Sequence, residues 1–230
     1  MGSSEKAVVG ALLEEHGRTY ATEAGIRLSD KPGPLYQVLV LATLLSARIS
    51  AEIAIAAARE LFAAGLRTPE AMEQADWQAR VDALGRGHYR RYDERTATQL
   101  GEGACLLRER WAGDLRRLRD EAKGDAKRVH DLLTEFPGIG PLGADIYLRE
   151  VQAVWPQVAP YFDKRVLEGA RRLGLPHSVD ALAGLAGSGE DLARLAAALV
   201  RVSLSKQAAE TVKSAAESQN ESQKESQKES

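Results

Sequence analysis

The stretch FPGIGPLGAD, residues 136–145, decides how the chain is organised, because it interrupts a sequence that otherwise has the composition of helices. Pro137 cannot continue a preceding helix and disfavours helical angles at the residue before it. Gly138 and Gly140 permit a left-handed backbone, so the chain can reverse its direction within a few residues. Pro141 suits the first position of a new helix, where its missing N–H costs nothing. The stretch therefore predicts a tight hairpin between two helices.

The helix that begins at Pro141 leaves the N–H groups of its first turn, including those of Leu142 and Gly143, without partners inside the helix. Free amides and the positive end of the helix dipole together form a site for an anion. A helix, a G-x-G hairpin and a second helix make a helix-hairpin-helix element, which can hold a nucleic-acid phosphate without reading a base. Gly143 has no side chain, so another surface can approach it closely. A turn that only packs two helices is the alternative, and this stretch alone leaves both open.

The composition of the 230 residues predicts an all-α protein. Hydrophobic residues make up 44% and aromatic residues 5%, and the predominance of alanine and leucine favours helices over strands. The longest apolar run, residues 38–47, is too short to cross a bilayer, and no signal peptide opens the chain, so we expect a soluble cytoplasmic protein. The only cysteine, Cys105, excludes an internal disulfide and a cysteine-built zinc or iron–sulfur site. We expect neither a metal nor another cofactor.

The charge of the chain is balanced overall and basic in places. The formal net charge is −2, and the segment 210–230 alone, with five glutamates and three lysines, accounts for it. Residues 86–128 contain twelve basic and eight acidic residues, and residues 164–172 contain four basic residues and one acid. Such modest patches fit a nucleic-acid surface, and they fit solvated helix faces equally well.

Capping residues and apolar periodicity predict a series of helices, and alternating strand patterns are absent. Ser50 and Thr68, the latter followed by Pro69, are typical of helix N-termini. We expect a central lobe of residues 31–154 that ends in the helix-hairpin-helix element (about 126–154). Residues 1–30 and 155–210 then form a discontinuous second lobe, and the polar, repetitive segment 211–230 is predicted to be a disordered tail.

The order of four motifs resembles the helix-hairpin-helix DNA glycosylase superfamily and, within it, the endonuclease III branch. The family has a first barrel helix with its loop, a second DNA-facing loop, the hairpin, and an aspartate that opens a further helix. The matching stretches, within roughly residues 31–175, are PLYQVLVLATLLSAR (34–48), LGRGHY (84–89), FPGIG (136–140) and YFDKRV (161–166). The resemblance implies a two-lobed all-α glycosylase fold that binds double-stranded DNA containing a lesion. It also implies a monomer that is associated with the nucleoid.

Asp163 matches the aspartate that active members of the family use. Breaking an N-glycosidic bond builds positive charge on the sugar, and a nearby carboxylate stabilises that charge and can deprotonate water. The resemblance therefore implies a catalytic Asp163. The alternative role is an N-cap for the helix that follows, which is worth roughly 1 kcal/mol, and the two roles are compatible.

The resemblance also implies DNA contacts. Arg48 matches the position from which family members insert a polar side chain into the gap left by a flipped base, and His88 matches the wedge into the opposite strand. A surface cation and an exposed loop residue are the plain alternatives for these two. The backbone contacts implied at the hairpin are Gly138, Ile139, Gly140, Leu142 and Gly143.

Three departures from the family pattern limit the chemistry that the resemblance implies. Leu142 stands where strand-cleaving members carry their nucleophilic lysine, so we expect base removal without lyase activity, although Lys164 beside the aspartate is a conceivable substitute. The cysteines of the iron–sulfur loop are missing. Ala42 replaces the glutamate of the adenine-specific relatives. The function expected is a monofunctional glycosylase of base-excision repair, and the alternatives are a non-catalytic DNA-binding protein or a helical protein without a nucleic-acid role.

Overall fold

The structure is a computed structural model that describes residues 3–187 and 189–228, with side chains described for 5–187 and 189–219. This part of the chain is built of helices and contains no strand, which confirms the all-α prediction. The helices are α1 (Ser3–His16), α2 (Tyr20–Glu23), α3 (Pro32–Leu45), α4 (Ala51–Ala63), α5 (Pro69–Gln74), α6 (Trp77–Arg86), α7 (Asp93–Trp111), α8 (Leu115–Glu121), α9 (Ala126–Leu133), α10 (Pro141–Val151), α11 (Lys164–Arg172), α12 (Val179–Ala183), α13 (Gly189–Leu204) and α14 (Lys206–Lys228).

The helices group into two compact units. Unit 1 combines the chain up to Thr19 with the chain from Ala159 onward, and unit 2 is continuous from Tyr20 to Val158. None of the helices in the described ranges is both long enough and apolar enough to cross a bilayer.

The borders of unit 2 differ from the lobe borders expected from the sequence, and hydrogen bonds explain the difference. The buried carboxylate of Glu150 accepts hydrogen bonds from the backbone N–H groups of Tyr20 (3.1 Å) and Ala21 (2.9 Å), the first residues of α2. Asp30 accepts a hydrogen bond of 2.8 Å from the indole N–H of Trp155. These contacts tie residues 20–30 and the segment after α10 to unit 2.

The centre of unit 2 is α3, which is apolar on every side. Leu35, Tyr36 and all residues from Val38 to Leu44 are buried. Helices α4, α7, α8 and α10 pack around α3, because a helix without a polar face is stable only when it is enclosed. The capping signals of the sequence are present at the N-termini of α4 and α5: Ser50 accepts a bond from Ile53 N–H at 3.4 Å, and Thr68 accepts one from Ala71 N–H at 3.2 Å.

One buried cation secures the α5–α6–α7 part of unit 2. The Arg80 guanidinium donates to the carbonyl oxygens of Met72 (2.8 Å), Ala75 (2.7 Å) and Ala97 (2.9 Å). Two of these carbonyls lie at the C-terminal end of α5, where they have no partner inside the helix. The side chain thereby joins α5 and α6 to α7.

In unit 1, α11 and α13 approach each other very closely. Gly169 of α11 faces the backbone of Leu199 in α13, and a Cβ built on Gly169 would lie 2.0 Å from the Leu199 carbonyl oxygen. The surrounding core includes Leu12, Val166 and Leu195, which are fully buried. The helix pair can take this spacing only because position 169 carries no side chain.

The prediction of a disordered tail from residue 211 is wrong where α14 joins unit 1. Ala209, Val212 and Ala216 are buried in the same core as α1 and α13, and their spacing of three and four residues places them on one helical face. The prediction of disorder was based on the composition of the polar repeat that begins at Glu217. It did not take account of the short apolar face just before this repeat. The last two residues of the predicted tail lie outside the described residues.

Replacing Gly169 with alanine tests the close helix pair. The new methyl group collides with backbone that cannot rotate away, so we expect Gly169→Ala to lower the free energy of unfolding by about 1–3 kcal/mol, as overpacking does. Gly184→Ala is the control, because its Cβ would meet its nearest neighbour at 3.4 Å, an ordinary contact. Urea denaturation of the two variants measures the difference. Equal stabilities would contradict the packing described for α11 and α13.

Candidate functional site

The hairpin between α9 and α10 is closed by one turn. The N–H of Ile139 donates to the carbonyl of Phe136 at 3.0 Å, and Gly138 has a φ of +83°. Proline at the second position and a glycine of positive φ at the third are typical of a type II turn. Pro137 and Gly138 therefore have the local role that the sequence predicted. Gly140 does not need the left-handed conformation, because it is the extended N-cap of α10 with a φ of −94°. The helix-hairpin-helix element is present.

The hairpin presents a set of unused backbone donors. The first helical bond of α10 runs from Ala144 N–H to the Gly140 carbonyl at 3.1 Å. Among the described residues, the N–H groups of Gly138, Gly140, Leu142 and Gly143 donate no hydrogen bond. Gly140 is exposed, and a Cβ added to it would meet nothing within 4 Å. This end of α10 therefore combines free N–H groups with the positive end of the helix dipole.

Two predicted hairpin contacts point into the protein. The Ile139 side chain is buried and its N–H already closes the turn, so Ile139 anchors the hairpin and offers no donor. Gly143 is buried as well, and a Cβ there would lie 2.4 Å from the Ser46 hydroxyl oxygen and 3.1 Å from Ile139 Cγ2. The surface that approaches Gly143 is thus the loop after α3 of the same chain. The sequence had instead suggested that an external partner approaches this residue.

The loop that carries Arg48 connects α3 to α4. Its first residue, Ser46, donates from its hydroxyl to the Ala42 carbonyl at 2.6 Å, and Ser50 caps the next helix. The loop is thus held at both ends. Arg48 between them is exposed, and it forms no ion pair with any residue that the structure describes.

The loop that carries His88 is fixed by its two neighbours. Gly87 lies against α4, where a Cβ would approach Ala57 Cα to 2.4 Å, and Tyr89 is fully buried. His88 itself is exposed and adopts a φ of +63°, a left-handed conformation that is uncommon for a residue with a side chain. The loop therefore holds the imidazole on the surface between two anchored residues.

These three segments meet at one pocket in unit 2, which we call the hairpin groove. Its volume is about 250 Å³. The lining residues come from the end of α3 and its loop, the segment after His88, the start of α7, and the hairpin, and they include Arg48, Tyr89, Tyr92, Arg95, Gln99 and Gly138. His88 precedes a lining residue but is not itself part of the lining. Arg48 and Gly138, two residues singled out in the sequence, are thus brought together.

The hairpin groove has a cationic rim and a neutral polar interior. Arg95 is exposed and, like Arg48, has no ion-pair partner among the described residues. The Arg91 guanidinium lies over the Tyr92 ring at 5.3 Å. Burial raises the pKa of Tyr89 above its ordinary value, so the hydroxyl in the groove wall stays neutral at physiological pH. The groove can therefore accept a ligand with negative charge outside and uncharged hydrogen-bonding groups inside.

Sequence reasoning missed the contribution of α7 to this groove. Tyr92, Arg95, Thr96 and Gln99 line it, and their spacing of i, i+3, i+4 and i+7 places them on one face of a helix. The same spacing is visible in the sequence YDERTATQ, residues 92–99. It would have been a usable signal, because this face mixes aromatic, cationic and amide side chains where a core-facing stripe would be apolar.

Asp163 belongs to unit 1, where it is the N-cap of α11. Its Oδ1 accepts hydrogen bonds from the N–H groups of Arg165 (2.9 Å) and Val166 (3.0 Å). The capping role that the sequence offered as an alternative is therefore present. The side chain is half-buried, and the two bonds fix the position of its carboxylate. Lys164 and Arg165, the next two residues, are exposed cations without an ion-pair partner in the described chain.

Metal-ligating groups do not cluster in the part of the chain that the structure describes: no three His, Cys, Asp or Glu side chains there are arranged to hold an ion. Leu142, which stands where the family resemblance places a lysine, is the second residue of α10 and is half-buried. Its side chain has no group that can act as a nucleophile.

Comparisons with known proteins add little to this geometry. No protein-family model matches the chain, and no curated protein matches its sequence. Among solved structures, one described as a trapped endonuclease III–DNA covalent intermediate, an estranged-adenine complex, is similar with 18% sequence identity and a TM-score of 0.45. The alignment covers 85% of this chain and 84% of that one. A likeness this loose assigns neither a subfamily nor an activity.

A double-mutant cycle tests the contact between the hairpin and the loop after α3. Gly143→Ala places a methyl group against the Ser46 hydroxyl, and we expect it to lower the free energy of unfolding by about 1–3 kcal/mol. Ser46→Ala removes the hydroxyl, so Gly143→Ala should cost measurably less in that background. Chemical denaturation of the wild type, both single variants and the double variant gives the coupling. Additive effects would contradict the contact.

Proposed function

We propose that this chain is a DNA glycosylase of base-excision repair, which hydrolyses the N-glycosidic bond of a damaged or mismatched base. The observation that carries the proposal is the convergence of three separate segments on the hairpin groove. The Arg48 loop, the segment after His88 and the hairpin are far apart in the sequence, yet all three reach one pocket with a cationic rim.

The hairpin supplies the contact to the DNA backbone. The free N–H groups of Gly140 and Leu142, at the start of α10, suit a phosphate oxygen, because oriented amides and the helix dipole both favour negative charge. Arg48 and Arg95 on the rim add attraction for neighbouring phosphates. Contacts of this kind fix the position of the duplex and do not depend on the base sequence.

Asp163 is the residue that we assign to the chemical step. In the proposed reaction, the bond between the base and C1′ of the sugar breaks, positive charge develops on the sugar, and a water molecule adds to C1′. An ionised carboxylate stabilises that charge and accepts the proton of the water. The two bonds to Arg165 and Val166 hold Oδ1, which supports a carboxylate that is oriented before the substrate arrives.

The proposed reaction ends at an abasic site. Strand cleavage by this chemistry requires an amine that attacks the sugar and forms a Schiff base, and Leu142 has none. We therefore assign a monofunctional glycosylase activity to the chain. Its proposed partner is double-stranded DNA that carries a lesion.

A second candidate function is a DNA-binding protein without catalysis. It is favoured by one observation, namely that the carboxylate of Asp163 has a complete structural role as the N-cap of α11. In this case the hairpin and the groove bind DNA, and the aspartate serves stability alone.

Replacing Asp163 with asparagine separates the two candidates. Asparagine caps helices as well as aspartate does, so the variant should fold and bind DNA normally, while base release should fall by at least about a hundredfold with the loss of the acid–base group. Base release from duplexes bearing alkylated, deaminated, oxidised or mismatched bases is measured for the wild type and the variant. Release that persists unchanged in Asp163→Asn refutes the catalytic role, and a wild type that binds but releases no base favours the second candidate.

Borohydride trapping tests the absence of lyase activity. A Schiff base between the protein and the sugar would be reduced to a stable covalent adduct, whereas direct hydrolysis leaves nothing to trap. We expect no adduct on any duplex from which the protein releases a base. An adduct that disappears in a Lys164→Ala variant would identify that lysine as the nucleophile and would overturn the monofunctional assignment.

Neutralising the rim of the groove tests the DNA-binding surface. We expect Arg48→Ala/Arg95→Ala to weaken duplex binding and to reduce the slope of log K against log salt concentration by roughly 1 to 2, the value for one or two lost phosphate contacts. The control is Arg108→Ala, which removes a cation of α7 that is paired with Glu73. Fluorescence anisotropy at several salt concentrations measures both. Equal slopes in the double variant and the control would remove the groove from the DNA interface.

A further inference from the structure

We propose that Gln99 in the hairpin groove is a base-reading residue, whose carboxamide hydrogen-bonds the edge of an unpaired nucleobase. This inference rests on the proposed DNA binding and extends it, because it names what enters the groove. The starting observation is that Gln99 lines the groove and is half-buried, while its carboxamide forms no hydrogen bond with any residue that the structure describes.

The Gln99 side chain packs directly against the hairpin. A Cβ built on Gly138 would lie 2.8 Å from Gln99 Oε1 and 3.0 Å from Gln99 Cδ. The carboxamide therefore rests against the glycine of the turn, in space that every other residue type would fill. Gly138 thus has a second role besides its positive φ: it leaves space for the amide of Gln99 beside the hairpin. This is the hairpin that we propose binds a DNA phosphate.

The other walls of the groove suit a nucleobase better than an ion or an apolar ligand. Tyr92 offers an aromatic ring for stacking, and the Thr96 hydroxyl and the Tyr89 hydroxyl are neutral groups that contact each other at 3.5 Å, the outer limit of a hydrogen bond. An amide has a donor and an acceptor side by side, which matches the paired donor and acceptor on the edge of a base. The cations Arg48 and Arg95 stand at the rim, where the phosphates of the same strand would lie.

The base that enters has to be unpaired. The Watson–Crick edge of a base inside a duplex faces only its partner base, so the base must leave the stack before this edge can reach a side chain that lines a pocket. Leaving the stack costs least for a base that has lost its partner. The groove is therefore expected to favour duplexes that contain one unpaired base over fully paired duplexes.

Binding of two matched duplexes tests the inference. One is fully paired and the other carries a single extra, unpaired base, and fluorescence anisotropy gives both dissociation constants. We expect the wild type to bind the second duplex about tenfold more tightly, the effect of one well-placed amide pair. Gln99→Leu keeps the approximate size of the side chain and removes its hydrogen-bonding groups, so this preference should fall to about twofold or less.

Two further variants make the result decisive. Gln74→Leu applies the same chemical change to an exposed glutamine at the end of α5, and it should leave the preference as it is. Gln99→Ala covers the case in which leucine does not fit beside Gly138, since alanine is too small to touch the turn. The inference is overturned if either Gln99 variant folds and keeps the preference of the wild type. It is also overturned if the wild type binds both duplexes equally.

The same measurements keep the inference apart from the proposed function. One outcome is that the wild type binds the paired duplex in a salt-dependent way and releases a base, while the Gln99 variants keep its preference for the unpaired base. That result would refute the role of Gln99 and leave the proposed function standing. A wild type that binds no duplex would refute the proposed function and the base-reading role together.

Discussion

A helix without a polar face has to be enclosed by other helices, and α3 imposes this requirement on unit 2. Its buried residues draw α4, α7, α8 and α10 around it, so the ends of these helices acquire fixed positions relative to its own end. Ser46, one residue beyond α3, meets Gly143 near the start of α10. The loop with Arg48 and the hairpin are therefore held side by side by the same packing that forms the core, and the segment after His88 and α7 form the remaining walls of the groove.

Local backbone chemistry could be predicted where the deciding residues are adjacent in the chain. Pro137 and Gly138 determine a turn within four residues, and the observed bond from Ile139 to Phe136 closes it. Ser50 and Thr68 cap the helices that follow them, since capping involves only the next three residues. The all-α class follows from composition and periodicity in the same way.

The directions of individual side chains could not be predicted, because they depend on partners that are distant in the sequence. Nothing in the residues around Gly143 reveals that Ser46 occupies the space beside it, and Ile139 is on the same hairpin as exposed Gly140 yet points inward. The border of unit 2 depends on Glu150, which binds residues 20 and 21. The start of α14 is held by Ala209, Val212 and Ala216, which are buried in the core of unit 1.

The hydrogen-bond donors of the hairpin are backbone N–H groups. Most amino-acid substitutions, whether natural or engineered, therefore leave them in place. Replacement by alanine keeps the amides of Gly140 and Leu142, so an alanine scan across the turn would report on folding and would not detect the anion site itself. A single donor is removed only by proline, which also fixes φ, or by an exchange of atoms in the main chain, such as an ester in place of one peptide bond. Residue types around the hairpin can consequently diverge while its anion site is retained, provided that the turn keeps its geometry.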